Sequence, residues 1–240
     1  MKLKNKKKGS HVGIMLSFVM FVMFVFFIYM IVQPSLSNQE TGNFIEGLET
    51  IIFDQASIEL KTISVKLNTL DDSCVELNNF LDEVDIDKRV VAKDSEDSSL
   101  IVGNSGSSSD LGINSNGKTF FRIYHSDEFE IIGVSLSDCD SLDLGTGYEI
   151  GLLKSDKIIF EPKIENILQE YEDNPNSFKS ELNISEENEF SLGFIYSNGT
   201  SIIVGEENLP ETSIYLDKIL VKYIDEDGSI KLGYLRIGTW

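Results

Sequence analysis

The sequence predicts an α+β protein in which one long N-terminal membrane helix precedes a predominantly antiparallel β extracytoplasmic head with one or two short helices. Three observations predict it. Residues 12–32 run for twenty-one positions without a charge, directly behind the cluster Lys6, Lys7 and Lys8. From residue 58 onward, short apolar stretches with period-two alternation are broken by polar turns. Only near residues 38–54 and 163–172 do apolar residues fall at the i, i+3, i+4, i+7 spacing of a helical face.

The uncharged run, as a helix, is roughly 31 Å long and matches a hydrocarbon core of about 30 Å. Its basic flank, Lys2, Lys4, Lys6, Lys7 and Lys8, belongs in the cytoplasm by the positive-inside tendency, which puts the C-terminal part outside the cell membrane as a single-pass protein. Phe18, Phe21, Phe24 and Phe27 fit lipid contact or a helix-packing face, with Tyr29 at the exterior interface. With those five lysines set aside from 20 basic residues, and no acid before residue 36, the exterior part carries 15 basic against 40 acidic residues. Such a surface repels phosphate backbones, so nucleic acid is excluded as a partner, while cations, basic partners or a salty exterior suit it. Plain solubility explains it too.

A cleavable secretory signal has a shorter apolar stretch followed by a small-residue site. Here the run is longer and ends at Gln33-Pro34-Ser35, so it reads as a retained anchor. The processing candidate stands before it, at Gly9-Ser10.

These residues resemble archaeal type IV pilin-like proteins with a class III signal peptide. The likeness rests on the Lys6-Lys7-Lys8-Gly9 junction, the Ser10-His11 start, Met15-Leu16-Ser17-Phe18, and the aromatic helix through Phe27 and Tyr29. It implies cleavage between Gly9 and Ser10, and a helix that serves both as anchor and as filament core with other pilin-like subunits. The family's usual glutamate at the fifth mature position is replaced by Ile14, after Gly13. The carboxylate cue for subunit register is therefore missing. Three later stretches look like the C-terminal halves of pilin-like proteins from small-genome archaea: the helix at residues 164–171, residues 178–182, and the ending at 233–240.

The expected organisation is a basic leader at 1–9, a transmembrane helix at 10–33, an amphipathic stalk helix at 34–55 and an acidic β-rich domain at 56–240. Pro34 is expected to end or kink the membrane helix. Phe44, Ile45, Leu48, Ile51 and Ile52 give the stalk its apolar face. Ile58 and Leu60 alternate with polar residues, and Ile63, Val65 and Leu67 resume one position out of step, which predicts a β-bulge. Further strands are expected at 74–77, 89–92, 100–102, 119–124, 131–136, 148–153 and 158–160. A helix at 163–172 is opened by Pro162, and hairpins turn at Asn198-Gly199 and at Asp227-Gly228. The last strand, 233–240, ends in Trp240, expected in a core or as a terminal clamp. Residues 95–109 hold seven serines, so the stretch at 94–110 reads as a mobile loop.

Few constellations carry chemistry. Cys74 and Cys139 either pair in an oxidising exterior or remain two buried thiols; a bond between them would add roughly 4 kcal/mol in the chain-entropy model. Asn183 and Asn198 begin N-x-[ST] glycosylation patterns, and Asn198 is also explained as a turn residue tolerant of left-handed φ. Asp138, Asp140 and Asp143, like Asp225, Glu226 and Asp227, do not fit a calcium loop. His125 lies beside Ser126, Asp127 and Glu128, where sequence adjacency is no triad. No catalytic residue, cofactor or metal site is expected, and the chain is read as no enzyme. The leading expectation is a membrane-anchored pilin-like surface protein with a structural or interaction role, such as a minor pilin subunit. The alternative is an anchored extracytoplasmic ligand-binding or sensor module, with an anchored hydrolase a distant third.

Overall fold

A computed structural model describes residues 10–68, 74–185, 188–206 and 215–240; the expected leader at 1–9, with Gly9, lies outside them. The chain divides into two units, Met1–Leu48 and Glu49–Trp240.

The described residues of the first unit are one helix, part of α1 (Ser10–Ala56). Its segment Gly13–Ile31 has a mean hydropathy of 2.7 and no buried residue, so it is long and apolar enough to cross a membrane. Ile14, at the position where a carboxylate was expected, is exposed along with its neighbours. Of the two outcomes expected at Pro34, an end or a kink, the end does not occur: the helix runs on to Ala56. A proline removes one i→i−4 bond, and intact turns on both sides carry the helix past it.

The second unit holds the end of α1, then β1 (Ser57–Leu67), β2 (Cys74–Leu77), α2 (Phe80–Glu83), β3 (Val90–Asp94), β4 (Ser99–Leu100), β5 (Val102–Gly103), β6 (Leu111–Asn114), β7 (Phe120–His125) and β8 (Asp140–Leu142). The long β9 (Tyr148–Phe160) leads into α3 (Glu161–Asp173) and α4 (Pro175–Glu181), and β10 (Phe190–Ile195), β11 (Ser201–Val204), β12 (Tyr215–Ile224) and β13 (Ile230–Thr239) follow. Among the described residues the strands form a nine-stranded sheet, ordered β11-β10-β13-β12-β9-β1-β7-β3-β4, and a four-stranded sheet, ordered β5-β6-β2-β8. Pairing is antiparallel except between β12 and β9 and between β2 and β8. The body is thus α+β and mostly antiparallel, with few helices.

The two sheets share a core. Val75 and Leu77 of β2 and Leu111 and Ile113 of β6 pack with Ile63 and Val65 of β1, Phe121 and Ile123 of β7, and Phe80 of α2. Ile58 and Leu60 enter a different cluster, with Tyr124, Phe129, Ile158 and Phe160. In a strand, even and odd positions face opposite sides. The step between Leu60 and Ile63 is therefore a change of buried face, not the bulge expected there. A register shift does occur two residues later, between Ile63 and Val65 against β9. There the extra residue belongs to β9: Ser64 Oγ accepts from the Leu152 amide at 2.7 Å, and a Cβ on Gly151 would meet that oxygen at 2.7 Å.

β9 is one strand of 13 residues where two were expected, because Lys154, Ser155, Asp156 and Lys157 are exposed in its middle. α3 follows its spacing: Ile164, Ile167, Leu168 and Tyr171 are buried. Tyr171 stacks on Phe190 of β10, ring centroids 4.8 Å apart, and donates its hydroxyl to the Phe190 carbonyl at 2.6 Å. α4 was not expected; Asn174 caps it, accepting from the Ser177 amide at 3.2 Å, with Pro175 as its first residue.

Two further expectations are corrected. The serine-rich stretch, given no secondary structure from the sequence, holds β4 and β5, and buried aspartates at its ends take up backbone amides. Asp94 Oδ1 accepts from Glu96 and Ser98, and Asp110 Oδ2 accepts from Ser107 at 2.7 Å while its Oδ1 accepts from Asn79. Residues 131–136 form no strand; Asn104 holds them instead, donating from its amide to Val134 O and accepting from the Leu136 amide. Their apolar alternation serves to line a cleft.

Candidate functional site

The cleft, of about 640 Å³, lies between the β3 end of the large sheet and the irregular run after β7. Its floor is Val90 and Val91 of β3, Phe129, Ile132 and Phe160. Phe129 and Phe160 meet edge to face at 5.9 Å. Glu128 and Glu130 stand on one rim, and Glu226 and Asp227 of the β12–β13 turn on the other. Lys163 of α3 neutralises Glu128 at 2.7 Å. The turn comes close because Gly228 takes a φ of 77°, and any side chain there would strike Val91 at 2.9 Å. An apolar floor with a mostly unneutralised carboxylate rim is chemistry for holding a ligand that is apolar and cationic.

Beside the cleft, Asp87, His125 and Asp127 bring ligand-type atoms within 4.8 Å of one another. His125, at the end of β7, contacts Asp87 Oδ1 through Nε2 at 3.0 Å rather than forming a triad with its sequence neighbour Ser126. Arg89 fills the space a cation would use, with Nη1 3.0 Å from Asp87 and 3.8 Å from Asp127. Burial opposes ionisation of Asp87, but the Arg89 amide, the His125 bond and the Arg89 charge outweigh it and hold the carboxyl below its ordinary range. The arrangement is a charge-compensated network.

The acidic triplets separate by role. Asp225 is a turn fastener: Oδ1 accepts from the Ser229 amide and Oδ2 from Lys231, each at 2.7 Å. Asp143 receives the Gly147 amide on its carbonyl within its own turn, and its carboxylate accepts from the Asn78 side-chain amide, 65 residues away in the chain. Cys74 and Cys139 are joined as a disulfide, Cα atoms 4.6 Å apart, immediately before the first parallel pair of β2 and β8, Val75 with Asp140.

Asn183 and Asn198 are both exposed. The left-handed φ expected at Asn198 belongs to its neighbour Gly199, at 85°, whereas Asn198 Oδ1 accepts from the Thr200 amide and hydroxyl. Asn183 is the asparagine with positive φ, at 56°, just past α4. Ser10, on the other side of the processing candidate, begins α1. Trp240 lines a second cavity, of about 450 Å³, with Tyr171 and Lys179, and its amide donates to Glu189 O.

Sequence reasoning did not find the cleft. Its four rim acids come from two segments about a hundred residues apart, and the only local signal was the mismatch between the strand-like pattern of residues 131–136 and the glycine at 133. Comparison of the chain with known protein families, curated proteins and solved structures finds no match.

Proposed function

We propose that this chain is a single-pass surface protein of pilin-like plan: cytoplasmic leader, membrane helix, and an acidic β-rich body outside the cell with a structural or interaction role and no enzymatic one. The observation that carries the reading is Gly13–Ile31, apolar and exposed over its whole length, behind a lysine cluster. The Gly9-Ser10 junction favours processing by a prepilin-type peptidase, while Ile14 favours an anchored protein or minor subunit over a major filament component. Mass spectrometry of the membrane-bound protein tests it. A mature chain beginning at Ser10 is expected, and an intact Met1 start overturns the processing. Labelling on whole cells then separates the two roles, as fibre-borne label means filament subunit and diffuse label means anchor.

The acid-rimmed cleft favours a second reading, an anchored binding module for a ligand with an apolar body and a cationic end. Isothermal titration with an amphipathic cationic peptide checks it; binding lost on Glu226→Gln with Asp227→Asn supports the reading, and binding that ignores both substitutions ends it.

A further inference from the structure

By cross-strand register, fifteen positions of β10–β13 share one face: 191, 193 and 195; 201 and 203; 216, 218, 220, 222 and 224; and 230, 232, 234, 236 and 238. The opposite face carries Phe190, Leu192, Phe194, Leu235 and Ile237, all of them buried. On the shared face, Leu220 is 58 % exposed, Leu232 53 %, Ile230 45 % and Tyr234 44 %. Leu220 stands directly across from Tyr234, and Lys222 across from Leu232. That is a patch of neighbouring large apolar side chains beside lysines, the kind of surface that marks an interaction site.

Its charge runs against the rest of the body. Of the 40 acidic residues only Glu40 and Glu46 precede residue 49, leaving 38 in Glu49–Trp240 against 15 basic ones. None of the 38 occupies the fifteen face positions, which hold Lys218, Lys222 and Arg236. Arg236 is neutralised by Glu206; Lys218 and Lys222 have no ion-pair partner among the described residues. Leucine, isoleucine and tyrosine interleaved with lysine make the composition of a surface that settles at a bilayer interface, apolar groups entering the headgroup boundary and lysines meeting anionic lipid. The acids of the body, none of them at a face position, repel such a bilayer, which favours this face for the approach.

We propose that the β12–β13 face is a docking surface for anionic lipid headgroups of the membrane in which the chain is anchored. This rests on the reading that Gly13–Ile31 spans that membrane, since the tether supplies the local concentration that a weak interfacial contact needs. A second copy is the less favoured occupant, because two such faces set against each other would gather four lysines in one interface with no acid at a face position to neutralise them.

The test uses the full chain in lipid nanodiscs holding one copy each. Cys74 and Cys139 are joined to each other, so Leu220→Cys offers a single thiol for an environment-sensitive fluorophore, and Ile131→Cys, at the cleft lip and 63 % exposed, is the reference. In discs containing phosphatidylglycerol the label at 220 is expected to shift to the blue and be quenched by brominated acyl chains; in phosphatidylcholine discs, and at 131 in either, it stays wet. Lys218→Gln with Lys222→Gln is expected to lower the docked-to-free ratio roughly thirtyfold, at about tenfold or less per lysine. A wet label at 220 in anionic discs, with the chain resistant to alkaline carbonate, overturns the docking and leaves the anchor standing. Extraction by carbonate overturns the anchor and the docking with it. Protection that arises only with two copies per disc assigns the face to a second copy and also overturns the proposal. If the glutamine variants aggregate while the label remains docked, the lysines guard a strand edge and the lipid role fails.

Discussion

β1 and β7 on one side of β9 in the nine-stranded sheet and β12 and β13 on the other are built from similar residues and used differently. β1 turns odd positions into the core shared with the smaller sheet and even positions into the Phe129–Phe160 cluster, so both of its faces are claimed. β12 and β13 bury Val221, Tyr223, Leu235 and Ile237 on one face and leave lysine, leucine and tyrosine on the other, where Ile224 alone of β12 is buried. Burial on both faces removes the alternation of exposure along a strand, as in Phe120–His125, whereas burial on one preserves it, as in Ile230–Thr239. The contrast teaches that the open face is a property of position in the sheet and not of weak hydrophobicity.

The sharpest way to break the comparison is to empty the closed side. Phe121 is fully buried between the sheets, and Phe121→Ala is expected to cost about 3–5 kcal/mol in denaturant unfolding of the full chain in micelles. A loss near 1 kcal/mol would mean that this core is loose and the two regions differ little. Next comes the disulfide, which closes a separation of 65 residues across the smaller sheet. Cys74→Ala with Cys139→Ala is expected to cost about 4 kcal/mol in the chain-entropy model, measured the same way and mirrored by reduction of the unsubstituted chain.

A smaller effect is expected where a loop replaces a strand. Burial opposes ionisation of Asp110, yet the Asn79 and Ser107 amides hold its carboxyl below the ordinary range, while burial and then Asp110 push Glu76 up. The signs differ. Asp110 contributes stability that is present above its unfolded value, about 3.9, and lost as pH falls through its lower folded value. Glu76 costs stability once ionised, and that cost disappears as pH falls from its raised folded value toward its unfolded one. Acid titration of unfolding free energy should therefore rise slightly before it falls. Asp110→Asn is expected to flatten both limbs and cost about 1–3 kcal/mol at neutral pH; an unchanged profile would exclude this pair as the acid-sensitive element.

Much of the fold was legible because local chemistry announced it. The apolar run, the α3 face of Ile164, Ile167, Leu168 and Tyr171, and the Asn198-Gly199 and Asp227-Gly228 turns stand where spacing and turn residues put them. What was not legible depends on partners distant in sequence. The serine-rich stretch reads as mobile until Asp110 is seen to meet Asn79, 31 residues away. β8 is three residues, Asp140, Ser141 and Leu142, with no strand pattern of their own, that become a strand beside β2. The cleft needs Glu226 and Asp227 brought to Phe129 by a glycine turn, and the open face needs the register of four strands, neither of which any single window of sequence contains.

The smallest expected effect is the most discriminating for the open face. Leu232 is 53 % exposed on the face that the comparison leaves to solvent or lipid, and it lies across from Lys222 and not from an apolar partner. Removing its side chain takes little surface out of a packed environment, so Leu232→Ala in detergent should change unfolding free energy by no more than about 0.5 kcal/mol, in line with substitutions at unburied positions. The same substitution should weaken docking in anionic discs, because there the leucine is withdrawn from water. Stability and docking thus separate at one residue. A cost above about 1 kcal/mol in detergent, where no bilayer is present, would mean that protein already covers this face, and the distinction between a two-sided and a one-sided region of the sheet would not hold.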